Sequence, residues 1–181
     1  AVGKTDLSLD VAEQLGAQII SADSMQLYRG MDIGTAKLPL EQRRGITHHM
    51  LDVLDVSQEA SVAMYQQTAR DVIAQLHAGG TSAVVVGGSG LFVNALLDDM
   101  QFPGSDPSIR ARLEAEAQRE GAQYMYAKLQ AVDEQAAAHV LPTNLRRIVR
   151  ALEVVELTGQ APSTTLRQLA EVVPALRIGL T

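Results

Sequence analysis

The sequence predicts an α/β protein: a parallel sheet flanked by helices, interrupted by an all-helical insertion. Three observations carry this. Short apolar runs, each closed by a glycine or an acidic turn and set against amphipathic stretches, recur along the first 100 residues. The composition changes at Phe102-Pro103-Gly104-Ser105-Asp106-Pro107, beyond which Ala, Glu, Gln and Arg dominate. Of 181 residues, 46% are hydrophobic and 20% charged, which supplies a core and excludes wholesale disorder.

The elements follow in order. Thr5 or Asp6 is expected to cap a helix whose Leu7, Val11 and Leu15 recur every four residues, with Gly16 as its stop. Residues 17–21 read as a short buried strand leading to Asp23. A polar loop with Gly30 and Gly34 follows, and residues 50–54 form a second strand. Residues 61–77 make an amphipathic helix with Val62, Tyr65, Ala69, Val72, Ile73 and Leu76 on one side, ended by Gly79-Gly80. Ala83-Val84-Val85-Val86 is apolar throughout, as in a strand buried on both faces. It runs into Gly87-Gly88-Ser89-Gly90 and a further helix. Residues 108–157 read as helices only, with breaks at Gly121 and Pro142. Residues 172–180 return as a last strand, interrupted early by Pro174. The expected domains are a core over 1–105, a helical insertion over 106–160 and a return to the core sheet over 161–181. A parallel α/β domain normally places a strand before its first phosphate loop. This chain opens inside such a loop and stops after a strand, so it is expected to be a fragment lacking both ends.

Composition excludes several classes. With no cysteine there is no disulfide scaffold, thiolate zinc site or cysteine nucleophile. No run approaches the roughly 18 apolar residues of a membrane span, and the opening residues are not a basic, apolar leader. The expectation is a cytoplasmic protein without a membrane partner. A net charge of −6 argues against a dedicated nucleic-acid binder. The charge is uneven, however: residues 1–105 carry six basic and twelve acidic side chains, residues 106–160 seven and eight.

Gly3-Lys4-Thr5 at a helix start matches the end of a phosphate-binding loop, G-x-x-x-x-G-K-[ST], and makes the sheet P-loop NTPase-like. Glycine lets backbone N–H groups converge on phosphate, lysine adds a mobile charge, and the hydroxyl ligates Mg²⁺. The alternative is an ordinary helix start with a solvated lysine. Asp23 lies past the carboxyl end of a buried strand, the edge where ligands bind in open α/β sheets. It can hold Mg²⁺ or accept a proton, or simply close an Asx turn over Ser24-Met25-Gln26. The strand at 83–86 ends in glycines rather than the Asp of a hydrolytic ATPase. Glycines there let a second substrate approach, which tilts the reading toward group transfer. Arg146, Arg147 and Arg150 share one helix face, suited to a diphosphate or a nucleic-acid backbone. By themselves they fit a solvated face paired with Glu153 at least as well. His48-His49 on a strand would point to opposite faces and cannot easily share a metal. Met25, Met31, Met50 and Met64 read as packing residues.

Taken together, Gly3-Lys4-Thr5, the block from Asp23 to Lys37 (DSMQLYRGMDIGTAK), Gly87-Gly88-Ser89-Gly90-Leu91-Phe92 and Arg146-Arg147-Ile148-Val149-Arg150-Ala151-Leu152-Glu153 resemble the tRNA dimethylallyltransferase (tRNA isopentenyltransferase) family. The resemblance runs along essentially the whole chain. It implies transfer of a dimethylallyl group from dimethylallyl diphosphate to N6 of the adenosine 3′ to the anticodon, with Mg²⁺, by a monomer that engages the anticodon stem-loop. Carried over residue by residue, Ala1, Val2, Gly3, Lys4 and Thr5 would bind diphosphate, with Lys4 and Thr5 also catalytic and Thr5 near the metal. Asp23 would be the general base. Asp23, Ser24, Met25, Gln26, Ser89, Arg110, Arg146, Arg147 and Arg150 would contact tRNA. Ser89 stands where the family usually has Thr, and Arg146 where it usually has Gln. Rival readings are an adenylate isopentenyltransferase, a P-loop small-molecule kinase and a non-enzymatic P-loop RNA-binding module. The block at 23–37 and the arginine helix weigh against the kinase, and the helical insertion against a free-nucleotide acceptor.

Overall fold

The computed structural model describes residues 3–164 and 170–180. The chain divides into two compact units, Ala1–Met100 with Ala170–Thr181, and Gln101–Leu169.

The first unit is built on helix α1 (Lys4–Leu15), strand β1 (Gln18–Ser21), strand β2 (His48–His49), helix α2 (Val62–Ala78), strand β3 (Ala83–Val86) and helix α3 (Gly90–Leu97). The strands lie in the order β2-β1-β3, all parallel, with Ile19 opposite His48 and Val84, and Ile20 opposite His49 and Val85. Side chains alternate across a strand. Ile19, Val84 and Val86 therefore meet Leu9 and Ala12 of α1, while Ile20, Ala83 and Val85 join the cluster holding Tyr65, Ala69 and Ile73 of α2 and Phe92 and Leu96 of α3. Helices thus cover both faces of a small parallel sheet.

Several expectations are corrected here. Helix α1 starts one residue before Thr5, and its N-cap is Gly3, with no side chain accepting from the first turn. Its buried face is Ser8, Leu9 and Ala12; Leu7 and Leu15 are exposed. The second strand is His48–His49 rather than 50–54. Met50 and Asp52 take left-handed backbone conformations, φ 60° and 57°, which cannot continue an extended ladder. Leu54 keeps a single parallel bridge to Tyr28. Strand β3 forms as expected, and its four residues are half-buried among the described elements. The expected return strand at 172–180 is absent. Glu171 makes one antiparallel bridge to Asp98, and residues 172–180 are in no strand, with Leu176 90% exposed. Pro174 lacks the N–H a ladder needs. Met50 packs in the core, whereas Met25 is exposed.

Among the described residues of the second unit the α-helices are α4 (Pro107–Glu120), α5 (Ala122–Val132), α6 (Glu134–Ala138) and α7 (Leu145–Thr158), with no strand. Asp106 caps α4 by accepting from the Ser108 and Ile109 N–H groups at 2.8 and 3.2 Å. Gly121 makes the expected break. A further break falls at Asp133, whose carboxylate accepts from Ala136 N–H at 2.9 Å and Ser163 N–H at 2.8 Å. Leu113, Met125, Leu129, Ile148 and Leu152 form the core. Among the described residues no helix is long and apolar enough to cross a membrane.

Candidate active site

The first unit gathers its candidate groups at one sheet edge. Helix α1 packs on β3 and runs back against the strand direction, so its N-terminus stands at the strands' carboxyl ends. Gly3 there has φ 75°, which only glycine adopts without cost. The first-turn N–H groups have no side-chain cap, and the helix dipole adds partial positive charge there. Lys4 is half-buried and Thr5 exposed. Ala1 and Val2 lie outside the described residues. Lys4, Val86 and Gly87 line one end of an apolar cavity of about 530 Å³ that follows β3, with Leu7, Val11 and Leu15 along its wall.

Asp23 leaves the adjacent strand, two residues past Ser21. One carboxylate oxygen, Oδ1, accepts from Met25 N–H at 2.9 Å and Gln26 N–H at 3.4 Å. The Asx turn is thus real. It also aims the group: Oδ2 takes no hydrogen bond among the described residues, and the side chain is half-buried.

The loops after β1 and β3 touch. Ala22 N–H donates to Val86 carbonyl at 2.7 Å. A Cβ placed on Gly87 would lie 2.2 Å from the Ala22 carbonyl oxygen. Gly87 therefore makes room for the chain's own backbone, one residue before Asp23, rather than for a substrate. Ser89 begins α3, half-buried, with its hydroxyl making no cap bond.

The segment after Asp23 is braced from within. Ser21 Oγ donates to Gln26 Oε1 at 2.8 Å, and Gln26 Nε2 donates to the Thr35 carbonyl at 2.9 Å. Ser24 is half-buried and Met25 exposed. Lys37, to which sequence reasoning gave no role, is buried and bonded to Tyr28, Asp32 and Asp52. No periodicity marks a lone lysine at a loop end; its partners are up to 15 residues away in sequence.

Histidines 48 and 49 behave as structural groups. His48 Nδ1 donates to Ile46 carbonyl at 2.9 Å, and His49 Nε2 to Gln18 Oε1 at 2.6 Å, since these carbonyl oxygens can only accept. Burial lowers both pKa values; beside His48 the charge of Arg43 adds to this, partly offset by the bond to Ile46.

In the second unit, Glu153 is fully buried and collects three donors. Arg110 donates at 2.6 Å, Arg150 at 2.9 Å and Asp106 N–H at 3.1 Å. Burial pushes its pKa up, but the two guanidinium groups and the N–H outweigh that and hold it below the ordinary glutamate value. Arg150 also donates to the Pro103 and Gly104 carbonyls. Arg146 and Arg147 are exposed and make no ion pair among the described residues. Two of the four candidate arginines are thus tied to a buried acid, and two stand free.

A parallel sheet with an uncapped, glycine-led helix N-terminus beside an acidic turn defines a P-loop-like α/β protein. The IPP transferase family model matches residues 26–181. This chain belongs to the IPP transferase family. It is 56% identical over its whole length to the tRNA dimethylallyltransferase of Thermobifida fusca and 55% identical over 99% of its length to that of Frankia alni. It spans 58% and 62% of those relatives' own lengths. Among solved structures, the full-length tRNA isopentenylpyrophosphate transferase of Bacillus halodurans is 44% identical with a TM-score of 0.55, over 90% of this chain and 54% of that one. A eukaryotic dimethylallyltransferase acting on tRNA reaches a TM-score of 0.80 at 29% identity, over 93% of this chain and 42% of that one.

Proposed function

We propose that the complete protein, a cytoplasmic monomer, transfers a dimethylallyl group from dimethylallyl diphosphate to N6 of the adenosine 3′ to the anticodon of tRNA. One arrangement carries this reading: a carboxylate with a free oxygen, on Asp23, leaves the same sheet edge as the uncapped N-terminus of α1.

In the proposed reaction a C–N bond forms between N6 and the allylic carbon while the bond from that carbon to the diphosphate oxygen breaks. The exocyclic amine is a weak nucleophile because its lone pair is delocalised into the ring. Asp23 Oδ2 accepts the N6 proton as the new bond forms, while Oδ1 stays bonded to the Met25 and Gln26 N–H groups. The leaving diphosphate carries off the bonding electrons, and the α1 N–H groups and Lys4 stabilise its charge. The anticodon stem-loop presents the base out of its stack to reach Asp23. Ser24, Met25, Gln26 and Ser89 line its approach; in the second unit the exposed Arg146 and Arg147 serve the RNA backbone, while Arg110 and Arg150, bonded to Glu153, hold the helix that carries them.

Among the described residues no three His, Cys, Asp or Glu side chains form a metal cage. The exposed Thr5 hydroxyl, a hard oxygen donor at the uncapped start of α1, is the residue that would hold a Mg²⁺ ion beside the diphosphate. A metal held there would supply charge neutralisation to the leaving group.

The test incubates the complete protein with dimethylallyl diphosphate, Mg²⁺ and an adenosine-containing anticodon stem-loop, then weighs the RNA. The expected result is a gain of one dimethylallyl group in place of a hydrogen. Activity on AMP but not on the stem-loop would favour a free-nucleotide transferase, and phosphate transfer from ATP a kinase.

A further inference from the structure

Lys37 is the only buried cation among the described residues, with 4% of its side chain exposed. An ammonium has three donors, and here all three are used. Nζ lies 2.7 Å from each of the Tyr28 carbonyl, Asp32 Oδ1 and Asp52 Oδ1. Burial pulls its pKa down, but the bonds to Asp32 and Asp52 and their charges outweigh this and raise it above the ordinary lysine value. The three acceptors come from different parts of the chain, and one of them leads back to Asp23. Asp52 N–H donates to the Gln26 carbonyl at 3.2 Å, and Gln26 N–H donates to Asp23 Oδ1. Leu54 N–H to Leu27 carbonyl and Arg29 N–H to Leu54 carbonyl, both 2.9 Å, fasten the same two segments beside Tyr28. Asp52 itself sits at φ 57°, a left-handed conformation that needs outside support in a residue other than glycine.

We propose that Lys37 is a positioning residue for Asp23: by clamping Tyr28, Asp32 and Asp52 it fixes the segment whose N–H groups aim the Asp23 carboxylate. It touches no reacting atom. The proposal rests on the transferase reading for its kinetic consequence, but not for its structural one. Loss of the ammonium leaves Asp32 and Asp52 hydrated, since both side chains are substantially exposed, and removes no apolar core. The fold should survive while the aim is lost.

The experiment uses the complete protein carrying Lys37→Met or Lys37→Arg. With Lys37→Met, kcat should fall about tenfold to a hundredfold, the scale of a misplaced catalytic group, with KM for dimethylallyl diphosphate unchanged. Lys37→Arg keeps the charge, but its planar fork cannot serve three acceptors around one nitrogen, so it should restore part of kcat. In an Asp23→Ala background Lys37→Met should cost little more, because both act through one carboxylate. Full additivity of the two losses would overturn the proposal. Hydrogen exchange decides it even if no prenyl transfer is found, which would sink only the transferase reading. The Met25 and Gln26 amides should lose protection in Lys37→Met while those of Ile19 and Ile20 keep theirs. Unchanged protection at Met25 and Gln26 would overturn the role assigned to Lys37.

Discussion

Asp23 does two jobs with one carboxylate, and each oxygen predicts a different result. Oδ1 organises a turn; Oδ2 is free for chemistry. Replacing Asp23 with Ala should lower the prenyl-transfer rate about a hundredfold to ten-thousandfold, the range of general-base losses, while tRNA affinity, measured by titration, changes little. An equal loss of affinity would make Asp23 mainly a contact residue. Gly87 tests the scaffold. A methyl group there would sit 2.2 Å from the Ala22 carbonyl, which is backbone and cannot swing aside. Gly87→Ala should destabilise the first unit by about 1–3 kcal/mol, as overpacking does, and a lower denaturant midpoint should accompany slowed transfer. From the sequence, the glycines at 87–88 read as room for a second substrate; at Gly87 that room is taken by the Ala22 backbone. A glycine required by the chain's own carbonyl and one required by a ligand look identical until the neighbouring strand is in place.

At the scale of elements, two packed contacts should respond to pH in separate windows. Helix α7 buries Glu153 against Arg110 of α4 and its own Arg150. Because its folded pKa is depressed, the stability it contributes is present above the ordinary glutamate value of about 4.3 and is lost as the pH falls below it. Glu153→Gln should flatten that acid slope in thermal unfolding. At neutral pH it should cost about 1–3 kcal/mol, less than a fully buried pair, since both arginines are more than a third exposed. Strand β2 answers to a milder range. His48 and His49 have lowered folded pKa values, so the fold prefers them neutral. Their contribution is complete above about pH 6.5, the unfolded value, and declines as the pH drops below it. Urea midpoints across that range should fall in the wild type and fall less in His49→Gln.

Over the whole molecule the charge balance poses the question of how a protein of net charge −6 would hold RNA. The arginines answer it unequally. Arg110 and Arg150 are spent on Glu153 and on carbonyls, while Arg146 and Arg147 are exposed without an acid partner among the described residues. Arg147→Ala should weaken tRNA binding and reduce the slope of log affinity against log salt by about one, leaving donor KM unchanged. If donor binding collapses instead, that arginine belongs to the diphosphate site.

The sequence by itself determined what local rules govern: the helix before Gly16, the strands at 17–21 and 83–86 to within a residue, the amphipathic helix over 61–77, the helical character past Pro107, and the family signature in Gly3-Lys4-Thr5 and residues 23–37. Period and turn chemistry act over a few residues, so they can be read along a line. Tertiary structure alone decided why Gly87 must be glycine, which arginines are free, and that Lys37 clamps the Asp23 loop. Each of these depends on partners far apart in sequence, and no local pattern encodes a hydrogen bond between residues that meet only after the chain has folded.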